Sequence, residues 1–389
     1  MRPGVLMITG AYFPELSGGG LQARAVVRAL SDRVDFAVLT TSADPTLPRR
    51  TREGGVPIRR VYVDVASAVS KATAAFRLAI AFLLSARRAG VVNLHGFSRK
   101  AILLVALSRL LRKRFILTLQ TGVHDEPSGA RSTGAIGYWA YRSADLYLSV
   151  SPGLSKSYLS AGLPASRLRQ VCNAVDTTRF RPPTAEESAA LRRECGLPLD
   201  APIVLFVGFF SHDKRPDLLY DAWARTADAC RSTLVFVGAT RSAYQEVDRA
   251  LAAAIRGRAA AARLDDRVIF VESTATIEKY FCAADVYVLP SIREGMSIAL
   301  LEAMSTGLAC VASRLPGSTD ALIEDGVNGL LVSPDDGNGF AAALTRLLVD
   351  ASLRTTLGAA ARQTVVDRFS IRATAEAWWS AYAEAAETR

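Results

Sequence analysis

The sequence predicts an α/β protein of two doubly wound domains, and three observations carry that reading. The chain has 389 residues, against a usual domain size of roughly 100–200. Short apolar runs alternate with longer amphipathic segments from one end to the other, the rhythm of βαβ units with buried parallel strands. Between two series of such units stand consecutive prolines, Pro182-Pro183, followed by a polar stretch, Thr184 to Glu187, that marks a linker. The domains are accordingly set at 1–181 and 182–368, with a terminal helix over 369–389.

In the first domain Val5–Ile8 is read as strand one, followed by helix over 20–31 and a strand at Asp35–Leu39. Val91 to His95 forms a further strand, and Arg114–Leu119 and Asp145–Val150 follow. Ser151-Pro152 then opens a helix, because serine caps orphan amides and proline suits the first helical position. The second domain restarts with Pro202–Val207, and strands recur at Ser232–Val237, Arg267–Phe270, Asp285–Leu289, Ala309–Ala312 and Leu330–Val332. Phe369 to Thr388 reads as a long helix with Trp378, Trp379 and Tyr382 close together. Exposed tryptophans are costly, so this helix must pack on something.

Half of the residues are hydrophobic and 22% are charged, which places the chain among folded proteins. The five cysteines are scattered, odd in number and without a C-x-x-C pair, which reads as a reduced, intracellular protein without structural zinc. Three histidines with none at i,i+4, and no Asp-x-Asp, argue against a bound metal. No stretch approaches the ~20 uninterrupted apolar residues of a spanning helix, and the N-terminal run is too brief for a secretory signal, so a soluble or peripheral protein is expected. The net charge of +10 is uneven: of 47 Lys+Arg and 37 Asp+Glu, residues 1–181 hold 26 and 10. The first half should therefore meet something acidic, whether nucleic acid, anionic lipid or a phosphorylated substrate.

The most informative stretch runs from Pro290 to Gly307, following the strand at 285–289 and opening a helix near Ser297. Glu294 falls on the loop and Glu302 on the helix. Gly295 permits close backbone approach, and the helix's first amides suit a diphosphate. Carboxylates at each end of such a loop accept hydrogen bonds from hydroxyls, which sugar and ribose present. The E-x7-E spacing alone proves little, since Glu186/Glu194 and Glu376/Glu384 share it. Strand-loop-helix context singles out Glu294 and Glu302. Glycine-rich turns at Ser313–Asp320 and Ile323–Val332 fall on the same rim of strand ends. Gly208 ends the second domain's first strand, and Lys214 beyond it is a candidate diphosphate cation. In the first domain Gly18, Gly19 and Gly20 offer flexible backbone amides to a phosphate or an acceptor, without the G-x-G-x-x-G spacing or the lysine of a P-loop.

Together these stretches resemble the retaining family 4 glycosyltransferases (glycosyl transferases group 1). The resemblance runs from the glycine-rich loop through Asn173-Ala-Val-Asp176 and Phe180-Arg-Pro182 to the E-x7-E segment and Asp325-Gly-Val-Asn-Gly-Leu-Leu-Val332. It implies the GT-B fold, two Rossmann-like domains facing a cleft, with the C-terminal helix crossing back to the first domain and burying Trp378 and Trp379. It implies a nucleotide-sugar donor, with Glu294 and Glu302 on sugar and ribose and Lys214 on the diphosphate. The donor-binding set is Gly18, Gly19, Gly20, Gly208, Lys214, Arg215, Glu294, Gly295, Met296, Ser297 and Glu302. The catalytic candidates are Glu294, Lys214, His95 and His124, either histidine being able to orient sugar or acceptor. Several positions depart from the family's pattern. Phe209 stands where an arginine is usual, Ala174 where a glycine is, and Asp320 replaces a longer acid. His124 lies in Leu117-Thr-Leu-Gln-Thr-Gly-Val-His in place of a Thr-x-His motif.

The activity implied is sugar transfer with retention, without metal or other cofactor, to a glycan or lipid-linked acceptor in bacterial cell-surface synthesis. A nucleotide-sugar epimerase and a sugar-phosphate-dependent synthase of the same fold are the alternatives. A nucleic-acid binder is suggested by charge alone, and no motif supports it. Two apolar segments with terminal cations, Phe76–Arg88 and Arg99–Arg114, suit an anionic membrane surface as well as ordinary sheet-covering helices. The expected location is the cytoplasm, with peripheral attachment at the inner face of the cell membrane.

Overall fold

The computed structural model describes residues 2–227, 229–240 and 247–387. Contacts divide the chain into two compact units, Met1–Ala174 with Ile371–Arg389, and Val175–Ser370. The chain thus passes between units at Ala174-Val175, ahead of Pro182-Pro183, and returns after Ser370. Thr388, the expected end of the last helix, lies outside the described residues.

The first unit is built on eight strands: β1 (Gly4–Thr9), β2 (Asp35–Ser42), β3 (Arg50–Glu53), β4 (Val56–Tyr62), β5 (Val91–His95), β6 (Arg114–Leu119), β7 (Leu146–Ser149) and β8 (Leu168–Gln170). Their order is β3-β4-β2-β1-β5-β6-β7-β8. Val5 of β1 lies beside Phe36 of β2 and Val91 of β5, in parallel register. Residues 5–8 are fully buried, as a strand covered on both faces requires. The helices are α1 (Gly18–Leu30), α2 (Ala68–Ser85), α3 (Lys100–Leu110), α4 (Pro127–Ser132), α5 (Ala135–Arg142) and α6 (Pro152–Ser160). Ser151 caps α6 by accepting the Leu154 amide, with Pro152 in the first turn, as its sequence foretold.

One expectation for this unit needs correction. The sheet is not wholly parallel, because β3 pairs antiparallel with β4. Gly54 and Gly55, at φ 55° and 84°, form a two-residue turn with positive φ at both positions, the geometry of a tight hairpin. The arginine-rich strands beside it carry little apolar signal, which is why the hairpin escaped the periodicity reading. One segment, Ala68–Arg88, is long and apolar enough to cross a membrane by length and composition alone, and Lys71 and Arg77 interrupt it, as the sequence reading held for every such stretch. One face of its helix packs on β2 and β4.

The second unit carries β9 (Ile203–Val207), β10 (Thr233–Val237), β11 (Val268–Val271), β12 (Val286–Leu289), β13 (Ala309–Ser313) and β14 (Leu330–Val332), in the order β11-β10-β9-β12-β13-β14 and parallel at every pairing. The order reverses between β9 and β12, so the loops after these two strands flank the switch point where open α/β sheets bind ligands. Helices α7 (Ala185–Glu194), α8 (Pro216–Ala224), α9 (Arg249–Ala261), α10 (Ile277–Ala283), α11 (Ile298–Ser305), α12 (Gly337–Val349) and α13 (Ala351–Arg368) surround it. An aromatic cluster of Phe206, Phe210, Phe236 and Phe270 fixes β9, β10, β11 and the loop after β9 together, with ring centroids 5.3–6.2 Å apart.

The last helix, α14 (Ile371–Glu387), belongs to the first unit and packs on α1, β5 and β6. Trp378 is buried there, its indole N–H donating to the Cys172 carbonyl at 3.0 Å, and Tyr382 one turn on accepts from Asn93 Nδ2 at 2.8 Å. Trp379 is not buried with it: it stays half-exposed, with the Arg33 guanidinium 4.2 Å over its ring. Adjacent helical residues point about 100° apart, so only one of the pair can face the sheet.

Candidate functional site

The loops after β9 and β12 are tied to one another side by side. After β9 the chain runs through Gly208 into a helical turn at His212–Lys214 and enters α8 from Arg215, whose φ of 49° is left-handed, with Pro216 in the first turn. Gly238, at the end of the neighbouring β10, must lack a side chain, because a Cβ there would stand 1.8 Å from the Gly208 carbonyl oxygen. The β12 loop answers with three bonds. The Ile292 amide donates to the Asp213 carbonyl at 2.9 Å, the Arg293 guanidinium pairs with the Asp213 carboxylate, and Lys214 Nζ donates to Glu294 Oε1 at 2.6 Å. Glu294's side chain is 8% exposed and Lys214's 28%. A nearly buried carboxylate is thus held by one ammonium at the switch point, an arrangement of strong charge-assisted bonding.

Gly295, Met296 and Ser297 are buried and lead into α11. Ser297 caps that helix, its Oγ accepting the Leu300 amide at 3.3 Å. One of the first-turn amides expected for a diphosphate is therefore taken internally. Glu302, one turn into α11, is 9% exposed. Burial pushes its carboxyl up to about 8; Arg179 lowers it and Glu278 adds to the rise. Those two are paired with each other at 2.7 Å, which weakens the arginine's help to Glu302. Arg215 sits at the same rim, donating to Asp335 at 3.2 Å.

Sequence reasoning named Lys214, Glu294 and Glu302 but missed Asp213, Arg293 and Arg179. Asp213 and Arg293 each stand next to a named residue in the chain, and that adjacency was the available signal. Arg179 had none, because its proximity to Glu302 spans two distant segments.

The remaining candidates, Gly18, Gly19, Gly20, His95 and His124, belong to the first unit. The glycine triplet is not a flexible loop but the first turn of α1, with Ser17 accepting the Gly20 amide at 3.1 Å. Gly20 is required there, since a Cβ would lie 2.3 Å from the Ala11 carbonyl oxygen. His95 is buried at the end of β5, stacked on Trp378 at 5.7 Å and 14°, with Nδ1 3.3 Å from Gln120 Nε2. Burial pushes its pKa down to about 3, so it is neutral across the physiological range. His124 is exposed, beside Asp125, which the sequence reading passed over. The buried Asp125 carboxylate accepts from the amides of Phe97, Gln120 and Thr121, at 2.5–2.8 Å, and joins the ends of β5 and β6. No group of three or more potential metal ligands occurs among the described residues.

Residues 16–179 match the family model Glycosyltransferase Family 4 and residues 201–350 match Glycosyl transferases group 1. Among curated proteins, a D-inositol 3-phosphate glycosyltransferase of Acidothermus cellulolyticus is 38% identical over 50% of this chain and 43% of its own length. A sulfoquinovosyl transferase of Arabidopsis thaliana is 29% identical over 57% of this chain and 41% of its own. The chain spans about half the length of the curated relatives it matches. Among solved structures, sucrose-phosphate synthase from Thermosynechococcus elongatus superposes with a TM-score of 0.81 at 23% identity, covering 98% of this chain and 99% of that one. HepE of Anabaena, in complex with UDP and glucose, gives 0.80 at 18% identity, covering 98% and 100%. These likenesses establish the fold, two Rossmann-like α/β domains with mostly parallel sheets.

Proposed function

The chain belongs to the family 4 glycosyltransferases, and from that premise we propose that it transfers a sugar from a nucleoside-diphosphate sugar, held by the second unit, to an acceptor held by the first. The observation that carries the reading is the Lys214–Glu294 pair at the β9/β12 switch point, with Glu302 buried one turn into the helix beyond. Lys214, at the rim, is the cation for the diphosphate, supported by Arg215 and the amino end of α11. Glu294 accepts hydroxyls of the sugar, and Glu302 those of the ribose. UDP-glucose is the first donor to test, because HepE was solved with UDP and glucose.

The transfer retains anomeric configuration. The bond from the anomeric carbon to the diphosphate oxygen breaks, the acceptor oxygen bonds to the same face, and its proton passes to the departing diphosphate. Charge on that leaving group is met by Lys214 and by backbone dipoles, with no divalent ion required. The acceptor is a glycan or a lipid-linked sugar in cell-surface synthesis, met at the cytoplasmic face of an anionic membrane. A sugar-phosphate acceptor is the second reading, favoured by the excess of 26 Lys+Arg over 10 Asp+Glu in residues 1–181.

Product analysis with UDP-, GDP- and ADP-sugars tests the class. Nucleoside diphosphate released only when acceptor is present supports the transferase. Isomerisation of the sugar without acceptor would make the protein an epimerase. The anomeric coupling constant of the product decides retention.

A further inference from the structure

At the amino ends of β1, β2 and β4, opposite the strand ends that carry His95, the first unit has an open hollow of about 910 Å³. Its wall includes Arg50, Arg52 and Arg59 of the hairpin, Arg87 and Arg88 after α2, and one carboxylate, Asp35. Among the described residues none of the five arginines is within ion-pair distance of a carboxylate, and Arg52 donates to the Gly55 carbonyl at 3.2 Å. Arg50 and Arg59 stand directly opposite each other across the antiparallel pair, and like charges so placed are destabilising. Burial and the Arg50 charge both push Arg59's pKa down. A phosphate group would relieve that repulsion and use the planar donor forks of several guanidiniums.

Beside the hollow, α2 is apolar on two faces. Ala74, Leu78, Ala81 and Phe82 are buried against the sheet. On the opposite face Val69, Phe76, Ile80 and Leu83 form one stripe at helical spacing, exposed by 74%, 70%, 43% and 41%. Leu84 belongs to both features, being exposed and lining the hollow. Further apolar side chains are exposed on neighbouring helices: Leu110 of α3, which packs on α2, by 76%, and Ile136 and Trp139 of α5, which packs on α3. Arg114, by contrast, is tied to Asp145 at 3.2 Å, so the hairpin offers the freer cations.

We propose that the hollow binds the phosphate headgroup of an anionic phospholipid while the outer stripe of α2 enters the leaflet beside it. A soluble phosphate would explain the arginines without a carboxylate partner but not the apolar stripe of α2 beside them; a bilayer explains both. The proposal rests on the reading that the first unit meets an anionic membrane, and adds where and through which group it does so.

The test is sedimentation of the full chain with vesicles at low salt. Wild type is expected to pellet with vesicles of phosphatidylglycerol and phosphatidylcholine and to stay in solution with phosphatidylcholine alone. The variant Arg50→Gln/Arg52→Gln/Arg59→Gln is expected to lose roughly tenfold or more in partitioning, three cations near an acidic leaflet being removed. Unchanged circular dichroism and melting temperature show that the variant is folded. Phe76→Ser/Ile80→Ser is expected to weaken capture by the same vesicles. Equal capture of wild type and the triple arginine variant overturns the hollow but leaves membrane attachment standing. No capture of wild type overturns both. Glycerol 3-phosphate that raises the melting temperature of wild type, without vesicle capture, would make the ligand a soluble phosphate and overturn the lipid assignment.

Discussion

Replacing Glu302 by glutamine probes a buried carboxyl of the second unit. An ordinary glutamate near 4.5 is here pushed up to about 8 by burial. The native state therefore holds a proton that the unfolded chain has released, throughout the window from 4.5 to 8. A group whose pKa is raised on folding contributes stability that is lost as pH rises through that window. The slope is about 1.4 kcal/mol per pH unit for one proton, so between pH 6 and pH 8 wild type loses about 2–3 kcal/mol that the glutamine variant, which cannot ionise, keeps. For a cooperative unit of roughly 150–250 residues each kcal/mol moves the melting point by about 2–4 °C. Glu302→Gln is thus expected to melt roughly 5–10 °C higher relative to wild type at pH 9 than at pH 6. Differential scanning calorimetry of both proteins across this range measures the difference. Melting temperatures that run parallel with pH would show that Glu302 ionises normally and that its burial in α11 has been misread. If the ribose hydroxyls favour the charged carboxylate, UDP binding at pH 7 also expels close to one proton, seen by calorimetry in buffers of different ionisation enthalpy.

Lys214→Ala leaves the nearly buried Glu294 carboxylate unpaired and removes the diphosphate cation, so both stability and UDP affinity should fall by about 1–3 kcal/mol; thermal melts and titration calorimetry check the two separately. Glu294→Ala is expected to lower kcat more than UDP affinity, and turnover within about twofold of wild type would remove it from the sugar site. Activity should survive EDTA, whereas complete loss restored by Mg²⁺ or Mn²⁺ would assign the diphosphate to a metal. His95 is neutral in the native state, and the stability this confers is lost as pH falls from about 6.5 toward 3. His95→Phe should therefore flatten the acid limb of the stability curve while leaving the pH profile of kcat/KM unmoved; a shifted profile would make His95 an acid or base.

The amino-acid sequence by itself determined the elements whose signals are local. Strands such as Arg114–Leu119 and Leu330–Val332 were legible because a buried parallel strand must be apolar along its whole length. Helix starts at Ser151 and Ser297 were legible because capping is written within a few residues. The strand-loop-helix context likewise marked Glu294 and Glu302. What only the tertiary structure decided are the relations between segments. Lys214 and Glu294 are 80 positions apart, and nothing local says that they bond to each other. Glu302 owes its raised pKa to burial and to the Glu278 charge, set against a lowering by Arg179, and no spacing encodes that balance. The two tryptophans of the last helix are equivalent in sequence, yet Trp378 is buried and Trp379 is not, because helical rotation lets only one face the sheet. The arginines of the hairpin entered the sequence reading only as part of the first half's charge excess, and chain folding set Arg50 opposite Arg59 and brought Arg87 and Arg88 to the same hollow. Pairing and burial are sums over distant parts of the chain, and a linear sequence shows them only after the backbone has chosen its neighbours.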